Sequence, residues 1–166
     1  MRPGTGVYAK VNENVFTGQA MSPDSSVEGV VFINGYASAD ITTVLNNTRA
    51  TRQQVVDAIN TISAKTGVKA IDTGYDSKGI TLVAADGRNI EVRFETNENA
   101  DVFGERIGLR QGVHSATYSL ESKIPTPVVI SSATTGDISR TGLIEGNFTK
   151  NESVFNTFPR DRVDAP

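Results

Sequence analysis

Apolar and polar residues alternate in short stretches along most of this chain, and one stretch alone keeps helical spacing. Val7, Ala9 and Val11 alternate with Tyr8 and Lys10, the period of two that a half-buried strand shows because successive side chains leave opposite faces. Gly18 to Gly29, with Ser22-Pro23-Asp24-Ser25-Ser26 inside it, is turn chemistry: proline fixes φ, and Ser and Asp satisfy nearby backbone groups. Val30 to Ile33 predicts a short strand that stops at Asn34-Gly35, a pair that tolerates positive φ and so marks a tight turn. Asp40 to Leu45 predicts another short strand.

Helical spacing begins at Thr51. Thr51-Arg-Gln-Gln54 matches a capping box, in which the hydroxyl accepts from a free N–H and Gln54 reaches back to the cap. Val55, Val56, Ile59 and Ile62 then fall three or four residues apart on one face, and Gly67 after Lys65 suits a left-handed C-cap at the negative helix end. The spacing predicts one amphipathic helix over about residues 52–66, about four turns long, packed on a sheet.

Period two returns afterwards. Val68 to Ile71, Ile80 to Ala84 and Asn89 to Glu95 read as strands, with Asp86-Gly87 predicting a hairpin between the last two. Asn97 to Asp101 is a polar break, and Val102 to Leu109 fits neither period clearly. Gly104-Glu-Arg-Ile-Gly108 lacks the Gly-Lys-Thr/Ser ending of a phosphate loop and reads as a bulge or turn. Val113 to Leu120 alternates as one strand; Pro125 and Pro127 interrupt before a strand at Val128 to Ser131. A last strand is expected around Phe148, and Arg160 to Pro166 reads as a frayed terminus. Many strands and one helix, without regular strand–helix alternation, predict an α+β fold that is mostly antiparallel β.

Composition narrows the chemistry. The 166 residues suit one domain or two small ones, and 37% hydrophobic with 21% charged residues is ordinary for a folded chain. With no Cys and one His, Cys/His zinc sites, iron–sulfur clusters, thiol nucleophiles and disulfides are excluded. A net charge of −3 with no basic stripe argues against a nucleic-acid partner, and no apolar run approaches the roughly 20 residues of a membrane helix. His114 falls on the Ala116, Tyr118 and Leu120 side of its strand and reads as a packing histidine, because no nucleophile or orienting carboxylate is marked nearby. Asp72, Asp76, Asp86 and Glu91 could form a carboxylate pair or calcium loop, but the ligand spacing of such a loop is missing, and turn or edge roles fit better. No Gly-x-Ser-x-Gly elbow occurs. Sequons at Asn46, Asn147 and Asn151 read as polar turn composition. No catalytic residue, cofactor or metal is expected.

Phe32-Ile-Asn-Gly35, Val55-Val-Asp-Ala-Ile-Asn60, Ser63-Ala-Lys-Thr-Gly-Val-Lys-Ala70 and Gly79-Ile-Thr-Leu-Val-Ala-Ala-Asp-Gly-Arg-Asn-Ile-Glu-Val92, in this order and spacing, resemble the "IN" motif of bacterial flagellins and flagellar hook-associated proteins. The match runs from Val31 to Phe94. Its structural residues here are Ile33, Asn34 and Gly35, where the first strand turns; Ala58 and Ile59, which with Ile62 seat the helix, and Asn60 next to them; Thr66, Gly67 and Val68, which end the helix and start the next strand; and Asp86 and Gly87, at the expected hairpin. Residues 27–96 are expected as the motif's α+β unit, and 1–26 with 97–166 as a β-rich unit.

The resemblance implies a variable outer domain of flagellin, extracellular, exposed on the filament surface and antigenic. In that family long helical segments at both chain ends polymerise. Their absence implies an outer fragment that meets other flagellin subunits only through those missing termini, and that is itself a monomer. Sheet edges are expected to be protected by Lys, Glu and Pro. Exposed Ser and Thr could carry O-glycans, as in some flagellins. Two alternatives stand beside this reading: the middle domain of a hook-associated or filament-capping protein, and a secreted carbohydrate-binding or adhesion module. The last would use clustered aromatics, and aromatics make up only 7% of the chain.

Overall fold

The computed structural model describes residues 6–22, 24–123, 127–131 and 146–148, and the backbone of 155–157. In chain order the elements are β1 (Val7–Val11), β2 (Asn14–Phe16), β3 (Glu28–Ile33), β4 (Tyr36–Ala37), β5 (Ile41–Thr42), α1 (Thr48–Asn60), α2 (Ser63–Thr66), β6 (Lys69–Asp72), β7 (Ile80–Ala84), β8 (Ile90–Thr96), α3 (Ala100–Ile107), β9 (Gly112–His114), β10 (Thr117–Ser122), β11 (Val128–Ile130), β12 (Gly146–Phe148) and β13 (Phe155–Thr157). Every strand pair among them is antiparallel, so the fold is α+β and dominated by β.

The chain forms two compact units, and one is inserted in the other: residues 13–114 form the inserted unit, and 1–12 with 115–166 form the outer one. The boundaries expected at 26/27 and 96/97 therefore shift outward. The reason is that β2 pairs with β7, while α3 and β9 pack on or pair with β8, which carries residues on both flanks of the motif into the inserted unit. In the outer unit β10 lies between β1 and β13, and β11 pairs with β12. The predicted terminus 160–166, and Asn151, lie outside the described residues.

The inserted unit has two sheets. One has the order β2-β7-β6; the other has the order β4-β3-β8-β9, with β5 also paired to β3. Helix α1 packs against β6 and β7 of the first sheet, β5 of the second, and α3. Of the stripe the spacing predicts, Val55 and Ile59 are fully buried and Ile62 nearly so, while Val56 is partly buried against the same core; Ala58 is buried beside them. The same buried cluster holds Val31 and Ile33 of β3, Val68, Ile80 and Leu82 around the first sheet, and Phe103 and Ile107 of α3, all without solvent exposure. Burying such side chains contributes on the order of 1.5–3 kcal/mol each.

Four local expectations are corrected. First, the helix begins earlier and is broken: Asn47 caps it by accepting from Ala50 N–H at 3.0 Å, and Thr51 lies inside the first turn with its hydroxyl accepting from Val44 N–H at 2.9 Å. Ile62, at φ −105 and ψ 5, separates α1 from α2, and Gly67 then takes the expected left-handed C-cap at φ +69. Second, Asp86-Gly87 does not close a hairpin. Both edges of β7 are occupied by β2 and β6 and both edges of β8 by β3 and β9, so the turn carries the chain from one sheet to the other.

Third, Gly104 to Ile107 is helical, as the end of α3. Asn99 caps α3 by accepting from Asp101 N–H, Arg106 lies in the last turn, and Gly108 ends it at φ +73. Fourth, the stretch from Val113 to Leu120 is two strands, β9 in the inserted unit and β10 in the outer one.

Close backbone contact fixes where α3 meets the first sheet. The carbonyl of Gly108 accepts from both Gln19 N–H and Ile80 N–H at 3.1 Å. A Cβ on Gly79, whose φ is +59, would stand 2.3 Å from that same oxygen. Gly79→Ala is expected to destabilise the inserted unit by about 2–4 kcal/mol, from left-handed strain added to the clash. Denaturant unfolding followed by far-UV circular dichroism checks it; a loss under about 0.5 kcal/mol would refute the packing argument.

Candidate functional site

The motif residues form a set of side-chain clamps on the backbone. Asn34 follows β3 at φ +50 and Gly35 at φ +83, the positive pair that a two-residue hairpin to β4 needs. In this position the Asn34 carboxamide reaches across the sheet: its Oδ1 accepts from Glu91 N–H at 2.8 Å and its Nδ2 donates to the Asn89 carbonyl at 3.0 Å. The turn of one strand pair is thereby tied to the start of β8. Ile33, just before it, is buried in the core.

Asn60 does the same at the last residue of α1. Its Nδ2 donates to the Ala70 carbonyl at 3.1 Å and its Oδ1 accepts from Ala70 N–H at 2.9 Å, so one side chain satisfies both backbone groups of one β6 residue. Thr66, buried at the end of α2, accepts from Val68 N–H at 3.2 Å. A third carboxamide stands outside the motif. Asn14 Nδ2 donates to the carbonyls of Arg88 and His114, each at 2.9 Å, which leaves Oδ1 facing His114 Nδ1 at 2.5 Å. Because that oxygen can only accept, the ring carries its hydrogen on Nδ1. The His114 ring is half-buried with its centroid 5.6 Å from that of Phe16.

The two remaining motif turns are joined by Arg88. Its guanidinium donates to the Thr66 carbonyl at 2.9 Å and to both Asp86 oxygens, and a Cβ on Gly67 would collide with it at 2.4 Å. Gly87, at φ +72, closes the turn by donating to the Ala84 carbonyl. Hydrogen bonds from Arg88 hold the Asp86 carboxyl below the usual carboxylate range, and the same contact raises Arg88.

The other candidate acids are likewise engaged with cations. Arg52, buried on α1 beside Thr51, donates to Asp72 at 2.7 Å and also to Asp76, fastening the β6–β7 loop to the helix. Glu91 lies 3.5 Å from Arg93. Among the described residues no group of three or more His, Asp or Glu side chains is placed to hold a metal ion, and no helix is long and apolar enough to cross a membrane. An open groove of about 440 Å³ beside β3 is rimmed by Glu28, Asp40 and Glu95, all exposed side chains that water can hydrate. The sequons at Asn46 and Asn147 are exposed.

Asn14, Arg52 and Arg88 escaped sequence reasoning. Arg52 sat inside the apparent capping box, and Asn14 opens β2, a strand of three residues too short for periodicity to reveal. The arrangement organises backbone. No protein-family model, curated protein or solved structure matches the chain.

Two outcomes follow from these contacts. Arg52→Ala should cost about 2–3 kcal/mol in chemical unfolding, somewhat less than a fully buried pair would lose because Asp76 is half-exposed. For Asp86 the folded pKa is depressed, so its contribution to stability is present above the unfolded carboxylate pKa and is lost as pH falls through the folded one. Arg88→Gln should return the Asp86 titration, followed by carboxyl-carbon NMR, to the ordinary carboxylate range; an unchanged midpoint would refute the assigned cause.

Proposed function

We propose that this chain is a surface-exposed outer domain of a bacterial flagellin, a structural and antigenic part of the flagellar filament. The observation that carries the reading is the use of Asn34 and Asn60. These are the asparagines of the Ile-Asn pairs in two of the four segments that carry the resemblance, and each one clamps the backbone of a different strand. A motif whose polar residues are spent on holding the fold suits a domain that is presented rather than one that reacts.

In this reading the domain lies outside the cell on the filament surface, and the partners are other flagellin subunits, met through helical parts of a parent chain. The reading includes no catalytic step, cofactor, metal, nucleic acid or membrane insertion. Exposed Ser and Thr are the places for O-glycans. The dispersed acidic and basic residues, net −3, keep such a surface soluble at the high local concentration of a filament.

Immunogold labelling with antibodies raised against this chain, on cells that carry its gene, tests the proposal. Label along the whole filament is expected. Label confined to the filament tip or the hook junction would move the assignment to a capping or hook-associated protein. Unlabelled filaments together with specific binding on a glycan array would move it to an adhesion module.

A further inference from the structure

We infer that Asn34 is a self-modification site gated by the fold. Its carboxamide is converted to a carboxylate through attack by the Gly35 backbone nitrogen, only when the bonds of Asn34 to the start of β8 are open, and the product cannot re-form them. Asn34-Gly35 is the one Asn-Gly pair in the sequence. Glycine sets no side chain beside its own nitrogen, which makes that nitrogen the least hindered nucleophile that can follow an asparagine. Gly35 is exposed to water, and a Cβ placed on it would meet no atom within 4 Å. What keeps the two groups apart is the bonding of the asparagine. Its Oδ1 accepts from Glu91 N–H at 2.8 Å, its Nδ2 donates to the Asn89 carbonyl at 3.0 Å, and its backbone N–H donates to the Glu91 carbonyl at 3.0 Å.

The carboxamide carbon is thus held against another strand, and both side-chain bonds must break before it swings over the following nitrogen. Once they break, the Gly35 nitrogen gives its proton to hydroxide and bonds to Asn34 Cγ, while the Cγ–Nδ2 bond breaks and ammonia leaves. Water then adds to one carbonyl of the cyclic imide and opens a C–N bond, leaving aspartate or isoaspartate at position 34. Neither product fits the former place. Aspartate sets an acceptor oxygen against the Asn89 carbonyl where a donor stood. Isoaspartate carries the main chain through the side-chain methylene, which abolishes the φ of +50 on which the two-residue turn depends. The closed turn therefore protects its own asparagine, and an opening that ends in reaction is irreversible. This inference goes beyond the flagellar proposal and is independent of it.

The test incubates the whole chain at mildly alkaline pH, folded in buffer and unfolded in urea, and maps the peptide containing Asn34 by mass spectrometry. Mapping separates this site from Asp86-Gly87, where isomerisation releases no ammonia. In urea Asn34 is expected to be converted faster than any other asparagine. In the folded chain its conversion should be slower by on the order of 10–1000-fold, the ratio that three hydrogen bonds set for a local opening. Gly35→Ala, compared in urea where folding plays no part, should slow the reaction, because the methyl hinders the attacking nitrogen. Asn34→Asp, as the product, should speed hydrogen exchange at the Glu91 amide relative to the unmodified chain. Equal conversion in buffer and urea would overturn the gating, and an unchanged rate in Gly35→Ala would overturn the attack by the Gly35 nitrogen. Full protection of the Glu91 amide in Asn34→Asp would show that the product re-forms the lock, and would overturn the irreversibility.

Discussion

Every backbone N–H and C=O withdrawn from water needs a partner, and short strands in a small unit cannot always supply one. A buried group left unpaired costs about 1–3 kcal/mol. Here the shortfall is met by side-chain amides, which offer a donor and an acceptor as a peptide does. Asn14 joins the carbonyls of Arg88 and His114, Asn34 ties the first hairpin to β8, and Asn60 completes β6. The two sheets of the inserted unit depend on these groups where strand pairing runs out.

The helices set the geometry that lets the amides reach. The break at Ile62 leaves Asn60 on the last turn of α1, from which it bonds Ala70, and turns Thr66 toward Val68. Arg52 anchors the β6–β7 loop from the other end of α1. A buried ion pair is a weak source of net stability but a costly one to break on one side; its value here is to fix the loop that leads to Gly79 and the close backbone crossing at Gly108. Apolar burial holds the helix to the sheets, and these polar contacts decide the register in which it is held.

Elements with a strong period were legible in the sequence: β1, β3, β7 and β8 fall near their expected positions, and of the expected stripe Val55, Ile59 and Ile62 are buried in the core while Val56 is partly buried against it. What failed was non-local or locally ambiguous. Asp86-Gly87 has the residues of a hairpin turn, yet whether flanking strands pair depends on which distant strands already occupy their edges. Gly104 disguised α3, because a glycine required by close packing beside the Leu109 carbonyl looks the same in sequence as a glycine required by a turn. Asn34 and Asn60 were visible as motif residues, and their roles as clamps were not, since each bonds to a partner whose nearness only the fold creates.

The inserted unit leaves the outer one after β1 and rejoins it at β10, and these two strands pair directly, from Val7 against Ser122 to Val11 against Tyr118. Beyond that register Asn12 N–H still donates to the Thr117 carbonyl at 3.0 Å. Entry and exit are thus adjacent rungs of one ladder, which a short turn could also close. In genetic terms residues 13–114 are a cassette: recombination at the two junctions can remove it, exchange it or lengthen it while the ladder that receives it keeps its pairing.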